Sequence, residues 1–152
     1  DLEVSELMVR GEDMRVYVEV QGYYDKYVIY RAISGGLLAS RMDDYDGDIL
    51  VGIIYLRDRY RSGVINPVGE GGKIRVREVS IEEYDIEELI RIDKRLVIFL
   101  PYTKGIRNER DLVSKYREVE GEVSSIDDIL RDELVMMVVS RFKRLSIWEV
   151  ID

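Results

Sequence analysis

Residues 49–56 are apolar almost without interruption, and this stretch constrains the fold more than any other feature of the chain. A strand with one solvated face alternates between apolar and polar residues, whereas a strand that is apolar throughout is covered on both faces. A domain of 152 residues is long enough to supply such cover on both sides. We therefore predict a central strand over residues 49–56, inside a layered protein.

Other segments favour further strands. Residues 14–21 alternate with a period of two, and a turn at 22–26 leads to 27–33, which are rich in β-branched and aromatic residues and predict a returning strand. Residues 73–80 alternate again, and 95–100 predict a buried strand that Pro101 ends. Ser34-Gly35-Gly36 indicates a break, and residues 37–42 fit a short strand or a helical turn equally well.

Helical signals dominate the second half of the chain. Ser80 with Glu83, and Asp85 with Glu88, have the spacing of a capping box before a short helix that ends near Ile92. Asn108 is placed to cap a second helix, and residues 125–144 form the longest helix.

This order of elements predicts an α+β fold with a mostly antiparallel sheet of four to five strands. Three helices would pack on one face of the sheet, with the longest helix C-terminal. We expect one domain over residues 1–152, with a loose lead-in at 1–13, a sheet-rich part at 14–105 and a helical part at 106–152.

Composition removes several classes of chemistry. The chain has no Cys and no His, which excludes disulfides, thiolate nucleophiles, imidazole bases and Cys/His zinc sites. No apolar run approaches the roughly 18 residues that span a bilayer, and no signal peptide opens the chain, so we expect a cytoplasmic protein without membrane contact. Abundant Arg and Glu with only two Pro are typical of thermophilic proteins.

Charge is segregated along this acidic protein. Residues 57–77 hold six cations and two acids, whereas the whole chain has a formal net charge of −8. If 49–61 and 73–80 pair as an antiparallel hairpin, the cations share one face, with two tyrosines in the same segment. These residues are Arg57, Arg59, Arg61, Lys73, Arg75, Arg77, Tyr55 and Tyr60. Arginine and tyrosine on a sheet face can stack unpaired bases and follow phosphates. The alternative is a surface network in which the cations pair with the protein's own acids.

Asp44-Tyr45-Asp46-Gly47-Asp48 places three carboxylates at alternate positions around a glycine. Hard cations such as Mg²⁺ prefer oxygen ligands, and glycine permits a tight loop. The string resembles the metal-binding loop of the large subunits of multi-subunit RNA polymerases and of the related RNA-silencing polymerases. That resemblance covers five residues and implies that Asp44, Asp46 and Asp48 would be magnesium ligands. The alternative is an acidic turn ahead of the buried strand.

Some nucleases carry a motif in which an acidic residue lies two positions before a lysine, and the presence of this motif can be checked at each lysine of the chain. None of the residues two positions before a lysine is acidic, so the motif is absent in this form.

The last predicted helix is apolar on all sides over 134–139, which is too much for a helix with one packed face. A second element covers it, or a second copy of the chain does, as a homodimer. The candidate interface residues are Leu134, Met137, Val138, Phe142 and Trp148.

These observations favour a non-catalytic module that binds single-stranded nucleic acid or another extended anion, without a cofactor. One alternative is a protein-interaction or structural subunit that docks an acidic partner. Another is a Mg²⁺-dependent phosphotransfer enzyme that uses the Asp-Tyr-Asp-Gly-Asp loop.

Overall fold

The computed structural model describes residues 14–142. The chain divides into two compact units, with the boundary after Ser80. The single domain and its division into parts at residues 13 and 105 stay predictions.

Unit 1 contains a three-stranded, all-parallel sheet. Its strands are β1 (Met14–Gln21), β2 (Asp48–Tyr55) and β3 (Ile74–Ser80), in the order β1-β2-β3. β2 pairs in parallel with both neighbours. The prediction of a mostly antiparallel sheet of four to five strands is therefore wrong. The predicted central strand is confirmed, because every residue of β2 after Asp48 is buried.

Helix α1 (Val28–Met42) connects β1 to β2 and makes their parallel pairing possible. It replaces the predicted strand at 27–33 and settles 37–42 as helical. Buried positions recur with the helical period at Val28, Ala32, Gly36 and Ser40. Gly36 lies where the helix packs closely on the sheet, and the absence of a side chain makes that close approach possible. A Cβ at Gly36 would lie 3.1 Å from Val51 Cγ2.

α1 and β2 build the core of unit 1. Val28, Ile29 and Ala32 of the helix form one buried cluster with the helix-facing side chains of β2. These side chains are Ile49, Val51, Ile53 and Tyr55. Full burial of a Val or Ile side chain contributes about 1.5–3 kcal/mol to folding, so this cluster is the main source of stability between helix and sheet.

The connection from β2 to β3 is irregular. The strand predicted to continue through residues 57–61 instead ends at Tyr55, and Asp58–Tyr60 form a short 3₁₀ turn. Val64 and Val68, in the following loop, pack against the core of unit 1.

Unit 2 is helical over residues 81–142. Its elements are the 3₁₀ turn Ile81–Glu83, α2 (Ile86–Ile92), the 3₁₀ helix Lys94–Tyr102, α3 (Glu109–Glu118), α4 (Glu120–Ser124) and α5 (Asp128–Arg141). The caps predicted for α2 and α3 are confirmed. Glu88 Oε1 accepts from the Asp85 N–H at 3.2 Å, and Asn108 Oδ1 accepts from the Asp111 N–H at 2.9 Å.

Three details in and next to unit 2 differ from the expectations. The predicted strand at 95–100 is wrong, because the segment belongs to a 3₁₀ helix that contains Pro101. Ser80 closes β3 and does not cap a helix. Asp127 caps α5, since its side chain accepts from the Leu130 N–H at 2.8 Å. Among residues 14–142, no helix is long and apolar enough to cross a membrane.

Candidate ligand-binding surface at the carboxyl end of the sheet

Parallel pairing spreads the six predicted cations along the sheet, with Arg75 and Arg77 inside β3 and the other four beyond the strand ends. Arg57, Arg59 and Arg61 follow β2 at its carboxyl end, whereas Lys73 precedes β3 beside the start of β2. A strand of eight residues at about 3.3 Å per residue separates these ends by roughly 25 Å. The antiparallel hairpin that would have placed the cations on one face is therefore absent.

The cations in this segment have partners within the protein. Arg61 pairs with Asp58 at 3.0 Å, and Arg77 lies 3.5 Å from Glu70. Arg59 lies over the Tyr60 ring, with 5.4 Å between Cζ and the ring centroid. The other partners are the Asp46 carbonyl for Lys73 Nζ and Met14 Sδ for Arg75 Nη2. Arg57 also has a partner.

The same register brings polar side chains together where the strands end. Glu19, Ile53 and Glu78 occupy one row across the sheet, and Gln21, Tyr55 and Ser80 occupy the row two positions further along the strands. All six lie on the face that carries α1, because alternate residues of a strand share a face. The carboxyl end of a parallel sheet is the usual location of ligand sites in open α/β folds.

Arg31 of α1 organises the β1 side of this region. Its Nη2 donates to Glu19 Oε1 and to Gln21 Oε1, each at 2.8 Å, and its Nη1 donates to Asp25. Gln21 Nε2 in turn donates to the Tyr23 carbonyl at 2.7 Å. The hydrogen bond to Glu19 raises the pKa of the Arg31 guanidinium. This network fixes the loop that leads from β1 into α1.

Tyr55 organises the β3 side. The ring is buried, and its hydroxyl donates to Glu78 Oε1 at 2.6 Å. Burial first, and then the bond to Glu78, raise the pKa of the Tyr55 phenol to about 12. Arg61 lies 5.6 Å from the centroid of this ring. Tyr55 therefore belongs to the buried layer that positions Glu78, and its ring has no exposed face on which a base could stack.

Four tyrosines at the start of α1 are exposed instead. Tyr23, Tyr24, Tyr27 and Tyr30 are 47–61% accessible to solvent, and we call them the tyrosine surface. Tyr27 and Tyr30 have ring centroids 6.3 Å apart. Lys26 Nζ lies 5.8 Å from the centroid of Tyr27. Large aromatic rings exposed to water on one short segment make this region a candidate contact surface.

The Asp-Tyr-Asp-Gly-Asp loop lies at the opposite, amino end of the sheet. Its tyrosine, Tyr45, donates to the Asp48 carbonyl at 2.8 Å, and its ring contacts the position where a Cβ of Gly47 would lie. Arg15 lies 4.6 Å from the centroid of the same ring. Gly47 is thus required for the packing of Tyr45.

The three aspartates of this loop are exposed. Within residues 14–142, no three acidic side chains, these included, are arranged to hold a metal ion. Their role as magnesium ligands stays a prediction, and the observed turn gives it no support.

The predicted interface residues of the last helix have different environments. Leu134 is buried in the core of unit 2, and Val138 and Phe142 pack against that core, while Met137 is half-buried. The exposed apolar side chains of α5 are Ile129, Val135 and Met136. Trp148 lies outside the described residues. The homodimer stays a prediction.

Sequence reasoning missed Glu19 and Gln21. Enumeration of acid-x-Lys motifs passed over Glu19-Val20-Gln21, in which an amide occupies the place of the amine. The sequence feature that could have identified these two residues is a carboxylate and an amide two positions apart on a predicted strand, since this spacing places both side chains on one face of the sheet. The crowding of tyrosines in residues 23–30 was visible in the sequence, but we assigned it to a β-hairpin, whereas these residues lead into and begin α1.

Comparison of the chain with protein-family models, with curated proteins and with solved structures finds no match.

Proposed function

We propose that the protein is a binding module for single-stranded nucleic acid, and that the tyrosine surface is its contact with the bases. The observation that carries this proposal is the exposure of four tyrosine rings beside the carboxyl end of a parallel sheet. Stacking of a base on an aromatic side chain contributes about 1–3 kcal/mol and requires an unpaired base.

Cations at the same end of the sheet support the proposal. Lys26 lies beside Tyr27, and Arg59 is exposed in the turn after β2. The two loops adjoin, since the Leu56 N–H donates to the Gln21 carbonyl at 3.0 Å. The net charge of −8 disfavours nonspecific coating of a duplex, so binding depends on these local cations and on stacking.

Fluorescence anisotropy with a labelled oligothymidylate, its RNA equivalent and a duplex of equal length tests the proposal at two salt concentrations. We expect the single strands to bind more tightly than the duplex. Each of Tyr24→Ala and Tyr27→Ala should weaken single-strand binding about tenfold, as loss of one stacking contact implies. Tyr116→Ala, an exposed tyrosine of α3, is the matched control. The proposal is refuted if Tyr24→Ala and Tyr27→Ala bind the single strands as tightly as Tyr116→Ala and the wild-type protein do.

A second candidate function is metal-assisted hydrolysis of a phosphodiester at the same end of the sheet. Glu19 and Gln21 have a carboxylate and an amide oxygen on one face, with Glu78 in register beyond Ile53. Both oxygens accept hydrogen bonds from Arg31 and Gln21 is only 1% exposed, so Arg31 must be displaced before a cation can bind. Magnesium is commonly held by one or two carboxylates together with the phosphates of a substrate, so two protein ligands are enough to test. A bound cation would compete with Arg31 for Glu19.

The test of this candidate is cleavage of an end-labelled oligonucleotide with Mg²⁺, Mn²⁺ or EDTA. Glu19→Gln should abolish the cleavage, while Glu118→Gln, in unit 2, should leave it unchanged. Arg31 keeps Asp25 and Gln21 as partners in the first variant, so the fold is expected to persist. Absence of metal-dependent cleavage by the wild-type protein rejects the second candidate and leaves the binding proposal intact.

A further inference from the structure

Unit 2 carries a continuous groove along α3. A depression of about 570 Å³ at one end is lined by residues from the start of α3 and the end of α5, namely Arg107, Asn108, Glu109, Arg110, Arg141 and Phe142. A second depression shares Glu109 and Arg110 with it and continues along α3 to Arg117. We call the two together the arginine groove.

The groove is cationic although the protein is acidic. Four arginines line it against one acid, Glu109. Arg110 and Arg117 are seven residues apart on α3, which corresponds to roughly 10 Å along the helix. Guanidinium groups bind phosphate oxygens through paired hydrogen bonds, so a row of this length matches several successive phosphates better than a single small anion.

Two of the arginines are held in place by the protein. Arg141 Nη2 donates to the Ile106 carbonyl at 3.4 Å, and its Cζ lies 5.2 Å from the centroid of the Phe142 ring. Arg107 Nε lies 3.4 Å from Asp111 Oδ2. Such restraint lowers the entropy that is lost when a ligand binds.

The other two arginines are available to a ligand. Within residues 14–142, Arg110 and Arg117 form no ion pair and no hydrogen bond through their side chains, and both are exposed. By contrast, Lys115 on the same helix pairs with Glu87 and Glu118, each at 2.9 Å. The helix thus neutralises its cations on one side and leaves them unneutralised along the groove.

We propose that the arginine groove binds the sugar–phosphate backbone of a nucleic acid, as a second contact that rests on the function proposed above. It has one aromatic ring at its end, in contrast to the four of the tyrosine surface, so it contacts phosphates and does not select bases.

A base-free oligomer of abasic deoxyribose phosphates separates the two contacts, because it carries phosphates and has nothing to stack. Anisotropy should show that the wild-type protein binds this probe. The double variant Arg110→Ala/Arg117→Ala should bind it about tenfold more weakly, with a salt dependence reduced by about 1.4 in log–log slope, since each phosphate contact on a single strand contributes about 0.7. Arg91→Ala, an exposed arginine of α2 outside the groove, is the control, and circular dichroism verifies folding.

Unchanged affinity and slope in the double variant, or no binding of the base-free probe by the wild-type protein, overturns the groove proposal. Neither result affects the tyrosine surface, which is judged by Tyr24→Ala and Tyr27→Ala on oligothymidylate. Conversely, if the tyrosine variants bind oligothymidylate normally while the groove variant loses the base-free probe, the groove stands and the stacking proposal fails.

Discussion

Two adjacent glycines of α1 offer a matched test of how the helix packs on the sheet. Gly35 and Gly36 both lie in the middle of the helix, so replacement by alanine gives each the same gain in helix propensity, about 0.8–1.0 kcal/mol. A Cβ at Gly35 would meet nothing within 4 Å, whereas a Cβ at Gly36 would lie 3.1 Å from Val51 Cγ2 and 3.6 Å from Tyr17 Cδ2.

The neighbour of Gly36 cannot easily move. Val51 is 1% exposed at the centre of β2, and a β-branched side chain has few rotamers to which it can retreat. Overpacking of this kind costs about 1–3 kcal/mol. We therefore expect Gly35→Ala to raise the free energy of unfolding by about 0.8–1.0 kcal/mol. For Gly36→Ala we expect the free energy of unfolding to be unchanged at best and to fall by about 2 kcal/mol at worst. The two variants should therefore differ by about 1–3 kcal/mol.

Urea unfolding followed by far-ultraviolet circular dichroism measures both midpoints and both m values. Because the chain has two compact units, hydrogen exchange of peptides from β2 should accompany it, so that the change is assigned to unit 1. If Gly36→Ala stabilises the protein as much as Gly35→Ala does, the close approach of α1 to β2 is not a constraint. The account of why this helix tolerates two glycines would then be wrong.

Three further changes have defined outcomes. Asn108→Ala removes the cap of α3 and should lower the free energy of unfolding by about 1 kcal/mol in thermal denaturation, with Asn108→Asp largely restoring it. Tyr55→Phe removes the phenol whose pKa is raised to about 12 by burial and by Glu78. The folded state holds this proton more tightly than the unfolded state, so the stabilisation is complete below about pH 10 and is lost as pH rises to about 12. The wild-type protein should therefore lose more stability in that window than the variant, in which Lys115, whose pKa is also raised to about 12, still titrates; pH-dependent urea midpoints would reveal the difference. Gly47→Ala forces the Tyr45 ring out of its place and should lower the thermal midpoint, whereas Gly71→Ala, where a Cβ meets nothing within 4 Å, should not.

The local sequence determined that β2 is a buried strand, that α3 begins after Asn108, and which chemistry is impossible. β2 is apolar at nearly every position and must therefore be buried on both faces, wherever it pairs. Asn108 caps α3 through its own side chain, which is a contact within four residues. The absence of His and Cys restricts catalysis irrespective of the fold. All three conclusions depend on neighbours in the sequence or on composition.

Strand direction was decided only by tertiary structure. Parallel and antiparallel strands share the same two-residue alternation, so the pattern of β1 and β2 does not distinguish between them. The distinction came from α1, whose helical period was concealed by Gly35 and Gly36 at its centre. Gly36 is there because Val51, fifteen positions away in the sequence, lies against it.

The candidate site shows the same division between what the local sequence determines and what depends on tertiary structure. A tyrosine-rich segment and an acid–amide pair are visible in the sequence, but only parallel pairing places Glu19, Gln21, Tyr55 and Glu78 at one end of a sheet. The same pairing separates Lys73 from Arg57 by the length of a strand. Charge and residue type are properties of the chain, whereas the distance between charges is set by which backbone groups hydrogen-bond across the sheet.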